Sequence, residues 1–537
     1  MNIGFVYKEA TTEYFYFVVD PKNRYTIGIG SILKVRINNY DYFAIIEDLR
    51  SESVEEDRLF DYDAIDVIYG KMQKAQYLII GKAIFLGVIK DNKMYSEKPI
   101  IPPSPGDIIY LPTKEEIYKI YSFDDPRTLI PIGKIYLQNE EFNIDINIKN
   151  LIIRHTGIFG ITGSGKSTTV AHIVNQLKNK NIPIILFDVH RDYILSYDNA
   201  IIITFSQKEK EFLEKLAYER NKNIKVYIGK VRLNLLIDYM EEFLGISGKQ
   251  ASNVFSLLSK LLSKDPKFIN KLFDMINRRE PSEIFERYKE DTIRSLYSRL
   301  LRIKDWQLFP RDINDTGDDI KDLIDKLSEN MREGSFNDIS IVSEGDEAIL
   351  MENNRFNPNM LIIDLYPLSI EEQRILLDII LELLYEKYKS WKLNNRTDII
   401  GIIIEEAHRF AAKYTNVSNK ISLIAREGRK FGLGLLLISQ IPSNISEDII
   451  SQINTFILLK IINPKDLEFI RKTCPYLSRE YFEALTKLET GSCLTVGLAV
   501  KNPAILKIIK SVDVGGTEED IDKRILERVS YGNKSNI

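Results

Sequence analysis

Eight residues, Gly160–Ser167, read GITGSGKS and fit the spacing G-x-x-x-x-G-K-[ST]. Those residue types at that spacing are suited to wrapping a chain of phosphates. Gly163 and Gly165 let backbone N–H groups curl toward phosphate oxygens with no Cβ in the way. A helix that begins there points its positive end at the anion. Lys166 is expected to reach the β- and γ-phosphates of ATP and Ser167 to ligate Mg²⁺. Gly160, Ser164 and Thr168 complete the expected nucleotide-binding set.

Hydrolysis needs more than a cradle. A carboxylate at the end of a neighbouring strand must hold the metal, and a second group must polarise the attacking water. Three apolar runs end in an acid: Asp188, Asp364 and Glu405. Val189 and Leu365 follow the first two and cannot act as a base. Glu406 follows the third, so Glu405 is assigned to the Mg²⁺ shell and Glu406 to water activation. Glutamate in place of aspartate gives the metal ligand a longer arm. Gln440 ends the next apolar run, LGLLLISQ, where its amide can sense the γ-phosphate. Between them, AREGRKFG carries Arg426, Arg429 and Lys430. In a ring with ATP at the subunit boundary, Arg426 or Arg429 can act as a finger on a neighbour's phosphoryl group; the bland alternative is a solvated basic helix face. His190, in the run FDVHRDY at a strand end, could touch nucleotide or water, or be structural.

The elements that must position these groups follow from the apolar pattern. An apolar stretch, 151–159, interrupted by Arg154 and His155, leads into the loop. Behind the loop, Val170, Ile173, Val174 and Leu177 recur at helical spacing. The runs IPIILFD, AIIITF, NMLIIDLYP, DIIGIIIEEAH, LGLLLISQ, NTFILLKI and GSCLTVGLAV read as buried strands. SIEEQRILLDIILELLYEKYKSW reads as a long helix, SNKISLIAREGRKFG as another. Residues 1 to about 100 alternate short aromatic and β-branched runs with polar turns, which predicts a small β-barrel. Pro102–Gly106 is a rigid turn before one more strand, IIYLP, and further extended structure runs to about 150. Residues 232–335 are helical in pattern, with amphipathic stretches such as DTIRSLYSRLLRIKDW. Within that region residues 251–305 carry twelve Lys/Arg against eight Asp/Glu, and residues 312–348 carry three against twelve. The basic half could meet phosphate backbones and the acidic half would repel them; solvated helix faces are the simpler reading. RDINDTGDD, 311–319, is expected as an exposed loop.

Bulk composition limits the rest. The chain has 537 residues, enough for two to four domains, with 44% hydrophobic and 28% charged residues, ordinary for a globular protein. No apolar run is long enough to cross a membrane and the N-terminus does not read as a signal peptide. Two cysteines, Cys474 and Cys493, make no disulfide framework, so a reducing cytoplasm is expected. Histidines at 155, 172, 190 and 408 are too scattered to predict a metal cluster. A net charge of −4 does not announce a nucleic-acid binder, although a ring can concentrate positive charge in its channel.

Taken together, RHTGIFGITGSGKSTT, FDVHRDY, IIIEEAHRF and REGRKFGLGLLLISQ resemble the HerA branch of the HerA–FtsK ATPases. The N-terminal GFVYKEATTEYFYF resembles the opening of that family's HAS barrel. The likeness is clear over 151–205 and 359–510. FDVHRDY departs from the more compact H-x-E-Y type by carrying Arg191 and Asp192. The resemblance implies an α/β fold: a RecA-like P-loop ATPase core with an N-terminal HAS-type β-barrel and a helical insertion. The expected boundaries are 1–125 for the barrel, 126–231 and 351–512 for the two parts of the core, 232–350 for the insertion, and 513–537 for a C-terminal helix and tail. The resemblance also implies an ATP-driven, hexameric translocase or helicase on double-stranded DNA, with no membrane anchor and with a NurA-like nuclease as partner in DNA end resection. A DNA-packaging or conjugation-type pump, or a nucleotide-gated structural ring with little catalysis, are the alternatives. Glu406 argues against the last.

Overall fold

The computed structural model describes residues 2–23, 26–53, 77–137, 140–239, 244, 251–264, 266–315, 317–333, 358–413, 415–475, 477 and 479–514. They form two compact units. One takes the chain up to Thr169 together with Gln440–Ser443 and Ile453–Lys510; the other begins at Val170 and holds most of the intervening chain.

The first unit opens with strands β1 (Asn2–Ala10), β2 (Tyr14–Val19), β3 (Ile32–Ile37), β4 (Tyr40–Ser53), β5 (Tyr77–Lys90), β6 (Lys93–Tyr95) and β7 (Ile108–Tyr110). Their order is β2-β1-β7-β3-β4-β5, and β5 returns to β2 over Tyr14↔Ile84 to Val18↔Ile80, so six strands close a barrel and β6 is appended to β5. Alternation makes this barrel: Phe15 and Phe17 point in and are fully buried, whereas Tyr16 is only half-buried. Phe15 meets Phe85 with ring centroids 5.2 Å apart inside a core of Ile3, Val6, Leu33, Val35 and Ile109. Each such side chain contributes about 1.5–3 kcal/mol of burial. Closure pairs both edges of the six barrel strands and leaves only the three-residue β6 as a short outer edge.

The same unit carries β8 (Leu129–Leu137), β9 (Glu140–Asn147), β10 (Thr156–Phe159), β18 (Thr455–Leu458), β19 (Ser492–Gly497) and β20 (Ala504–Ile508), in the order β10-β18-β19-β20-β8-β9. β10 and β18 are parallel; the other pairings are antiparallel. The apolar run before the loop is not one strand. Ile148–Ile153 is a short helix, because Asn147 caps it, its Oδ1 accepting from the Asn150 N–H at 3.0 Å. His155, at φ 57, then turns the chain into β10.

The second unit holds β11 (Ile184–Asp188), β12 (Ala200–Thr204), β13 (Ile224–Lys230), β14 (Asp318–Asp319), β15 (Met360–Asp364), β16 (Ile400–Ile404) and β17 (Leu433–Ser439). All seven are parallel, in the order β14-β13-β12-β15-β11-β16-β17. Strands β11, β12, β15, β16 and β17 are buried along their whole length, which is why their sequences are unbroken apolar runs. Two long helices belong here: α1 (Ile370–Leu393), started by a Ser369–Glu372 capping box, and α2 (Asn416–Glu427), capped by Thr415.

Among the described residues of 232–333 the longer helices are Ala251–Leu262, Ile269–Arg278, Glu290–Ile303 and Ile320–Glu333. Ile293, Leu296, Leu300 and Ile303 line the buried stripe of the third. RDINDTGDD is exposed only in part. Its end forms β14 against β13, and Asp315 Oδ1 lies 2.7 Å from the buried Lys230 ammonium, which needs that carboxylate. The expected C-terminal helix lies outside the described residues. So do 334–348 of the acidic half and most of 240–250. Cys474 and Cys493 are buried and form no disulfide with each other, and among the described residues no helix is long and apolar enough to cross a membrane.

Candidate active site

β10 delivers the chain into the glycine-rich loop, and a helix, Lys166–Asn179, leaves it. Gly163 and Gly165 stand at φ 72 and 101, a region that favours glycine, and this turns successive N–H groups to one side. The loop is held from outside. The Ile161 N–H donates to the Lys460 carbonyl at 2.9 Å, and the Gly491 N–H to the Ser164 carbonyl at 3.0 Å. A Cβ on Gly165 would stand 3.2 Å from Gly491 Cα, and beside this close glycine–glycine approach Thr490 Oγ1 donates to the Gly163 carbonyl at 3.4 Å. Ser164 Oγ donates to the Ile161 carbonyl at 2.7 Å. The buried Lys166 ammonium donates to the same carbonyl at 2.9 Å, inside the loop where a phosphate oxygen would compete for it. Gln440 is on this loop: Thr162 Oγ1 donates to its Oε1 at 2.6 Å. Ser167 and Thr168 sit at the half-buried start of the helix.

In the second unit, the strand-end acids have different surroundings. Parallel pairing of Phe187 with Ile404 sets Asp188 and Glu405 side by side. Asp188, fully buried, accepts from the Tyr193 N–H at 2.9 Å and the Asp192 N–H at 3.2 Å, closing its own loop. Glu405 Oε2 accepts from the Val189 N–H at 2.8 Å and the His190 N–H at 3.3 Å. Burial pushes Asp188 up to about 7, and it raises Glu405, which the neighbouring Asp188 charge raises further. Two touching carboxyl groups out of water retain a proton that isolated ones would have lost. Glu406 is also buried, at φ 48 in the left-handed region; its Oε2 lies 3.1 Å from His408 Nδ1 and its Oε1 3.9 Å from His190 Nε2.

Asp364, the third acid, is neutralised. Arg191 donates to it from Nε at 3.0 Å and from an Nη at 2.6 Å, that Nη also donates to Glu209 at 2.6 Å, and Thr204 Oγ1 donates to Asp364 at 3.0 Å. The guanidinium lies over Tyr366, 4.8 Å from its centroid. Arg191 is itself left-handed, at φ 63, a strain of about 1–3 kcal/mol that this clamp offsets. The departure in FDVHRDY is thus a charge clamp between β11 and β15. Arg191→Ala, which strands a fully buried carboxylate, is expected to cost about 3–5 kcal/mol. Arg191→Ala with Asp364→Asn should recover part of it. Thermal unfolding of the two variants checks this; equal melting temperatures for both would refute the clamp.

Arg426, Arg429 and Lys430 are exposed at the end of α2 and the turn after it, and neither arginine forms an ion pair with another described residue. Sequence reasoning missed His408 and the Thr490–Gly491 turn against the loop. For His408 the signal lay in the motif itself, EEAH, two residues past Glu406. For Gly491 the signal was a TGS turn before an apolar run, too common to single out. Among the described residues no group of three or more His, Cys, Asp or Glu could hold a metal. A Mg²⁺ site of P-loop type needs only a hydroxyl and a carboxylate beside the phosphates.

A loop shaped to wrap phosphates at the start of a helix, and acids at the tips of buried parallel strands, place the chain among RecA-like α/β P-loop ATPases, here with an N-terminal six-stranded barrel. Residues 130–384 match the family described as Helicase HerA, central domain. A DNA double-strand break repair helicase HerA of Sulfurisphaera tokodaii is 27% identical, with 95% of this chain and 93% of that one covered. A probable helicase of Methanocaldococcus jannaschii is 25% identical, with 90% and 86% covered. Among solved structures, VirB4 of Thermoanaerobacter pseudethanolicus aligns with a TM-score of 0.45 and 13% identity, over 72% of this chain and 98% of that one. Over residues 130–384 the chain is thus similar to the HerA family, and the HerA-named helicases align with it over most of their length.

Proposed function

We propose that this chain hydrolyses Mg²⁺–ATP to drive movement along double-stranded DNA, as a helicase or translocase. The observation that carries the reading is the loop itself. Gly163 and Gly165 shape an N–H cradle, and the Lys166 ammonium is held inside it on a carbonyl it can exchange for a phosphate oxygen. Lys166 neutralises the β- and γ-phosphates, with Gly160, Ser164 and Thr168 completing the cradle. The donors assigned to the metal, the Ser167 hydroxyl and the Glu405 carboxylate, are hard oxygens of the kind Mg²⁺ takes. ATP and Mg²⁺, when bound, supply the phosphoanhydride and part of its charge neutralisation. Glu406 polarises the attacking water, and Gln440, already bonded to the loop, reports on the γ-phosphate side.

Relatives named as DNA double-strand break repair helicases support DNA as the track. Arg426 and Arg429, exposed and without an ion pair among the described residues, support a ring, which we take as a hexamer, in which one protomer's arginine completes the site of the next; a NurA-like nuclease as partner follows from the resemblance to the HerA family. The test is ATP turnover with and without duplex DNA at several salt concentrations. Duplex is expected to stimulate turnover, and its apparent affinity should fall steeply as salt rises, because phosphate contacts release counterions. Equal turnover with and without duplex at every salt concentration would refute the DNA-driven reading.

A further inference from the structure

His190 lies in the turn that follows β11 and carries a half-exposed imidazole beside the buried Glu406. Its Nε2 stands 3.9 Å from Glu406 Oε1, beyond a hydrogen bond and within the span of one bridging water. We propose that His190 is a second catalytic residue of the hydrolysis. The attacking water is held between the two side chains, donating one hydrogen to Glu406 Oε1 and the other to His190 Nε2.

The turn that carries His190 is tied down residue by residue. The Val189 N–H donates to Glu405 Oε2 at 2.8 Å, and the His190 N–H reaches the same oxygen at 3.3 Å. The Arg191 side chain is clamped on Asp364, and the Asp192 N–H donates to Asp188 at 3.2 Å. All three strand-end acids therefore hold this one turn. Among the described residues the His190 ring itself has no direct hydrogen-bond partner, so a firmly placed backbone presents an uncommitted imidazole next to the base. A carboxylate alone takes one hydrogen of a water and leaves the second free to swing. A second acceptor fixes the plane of the molecule, and a misplacement of about 1 Å costs on the order of 10²-fold in rate. Neutral imidazole offers one acceptor nitrogen, so the ring acts with its proton on Nδ1. With both hydrogens engaged, the lone pairs of the oxygen are left for the reaction. As that oxygen bonds to the γ-phosphorus, the bond from phosphorus to the β–γ bridging oxygen breaks and its electron pair leaves with ADP. Glu406 takes one proton; the other hydrogen stays on the oxygen and becomes a hydroxyl hydrogen of the released phosphate.

This inference rests on the reading of Glu406 as the water-activating group, and the experiment separates the two. Three full-length variants are compared: His190→Phe, His190→Asn and His190→Gln. Phenylalanine keeps the ring and loses the acceptor. The asparagine amide reaches the place of Nδ1, and the glutamine amide the place of Nε2. The phenylalanine and asparagine variants are expected to lose about 10–100-fold in kcat, and in the rate of a single turnover, with KM for Mg²⁺–ATP within about twofold. The glutamine variant is expected to stay within a few-fold of the parent. His190→Phe at the parent rate overturns the proposal, because packing alone would then suffice. His190→Gln as slow as His190→Phe also overturns it, because the role would then belong to a positive charge and not to an acceptor. Glu406→Gln is run alongside. If that variant turns over ATP normally, it is the reading of Glu406 that fails; if it is inactive while His190→Phe matches the parent, only the role of His190 fails.

Discussion

Lys166→Ala is expected to abolish ATP turnover, lowering it by at least about 10²–10³-fold. The ammonium is buried and already directed into the loop at 2.9 Å from the Ile161 carbonyl, so it needs little reorganisation to reach a phosphate. Alanine leaves the charge of the β- and γ-phosphates without its protein counterion. The loop itself should survive, because its frame is main-chain: Ile161 N–H to Lys460, Gly491 N–H to Ser164, Thr169 N–H to Gly165. Thermal stability should therefore change little while phosphate release disappears and nucleotide binding weakens. Lys166→Arg is not expected to rescue, since a planar fork cannot occupy the space of a compact ammonium on a flexible stem. Phosphate release near the parent rate in Lys166→Ala would sink the assignment of this loop to hydrolysis.

What could be read from the residues was what is local. The barrel strands announced themselves by alternation, as in YFYFVV, and the strands of the second unit by unbroken apolar runs ending in an acid. The loop was legible because its chemistry is packed into eight consecutive residues. The helix Ile148–Ile153 was not, since its apolar residues also suit a strand and only the Asn147 cap and the left-handed His155 decide the matter.

The partners of the acids were hidden for another reason. Asp188 and Glu405 are 217 positions apart, and Arg191 and Asp364 are 173 apart; strand order, not spacing, makes them neighbours. All three strand-end acids looked alike in sequence. Their environments divide the work. Asp364 is consumed by Arg191, and Asp188 by the backbone of its own loop, where it also shares burial with Glu405. The choice of Glu405 over the other two rested on the Glu406 that follows it. Engagement does not separate the three, because Glu405 Oε2 likewise accepts two backbone N–H groups, those of Val189 and His190.

Glu406→Gln should stop hydrolysis and leave binding intact, so that the protein accumulates with ATP uncleaved. The substitution keeps volume and removes only the capacity to take a proton, and a general base contributes about 10²–10⁴-fold. Glu405 is a poor candidate for that role, since its Oε2 already accepts two backbone N–H groups and burial beside Asp188 keeps a proton on the pair. Glu406 is set apart from Glu405 by its left-handed backbone, at φ 48, and by the two histidines, His190 and His408, near its carboxylate. Retained ATP is measured by rapid gel filtration with labelled nucleotide, and turnover by phosphate release. Loss of turnover with ATP retained is the expected result. Turnover within a few-fold of the parent would place the base elsewhere, and loss of ATP binding together with turnover would make Glu406 part of the cradle and not of the chemistry.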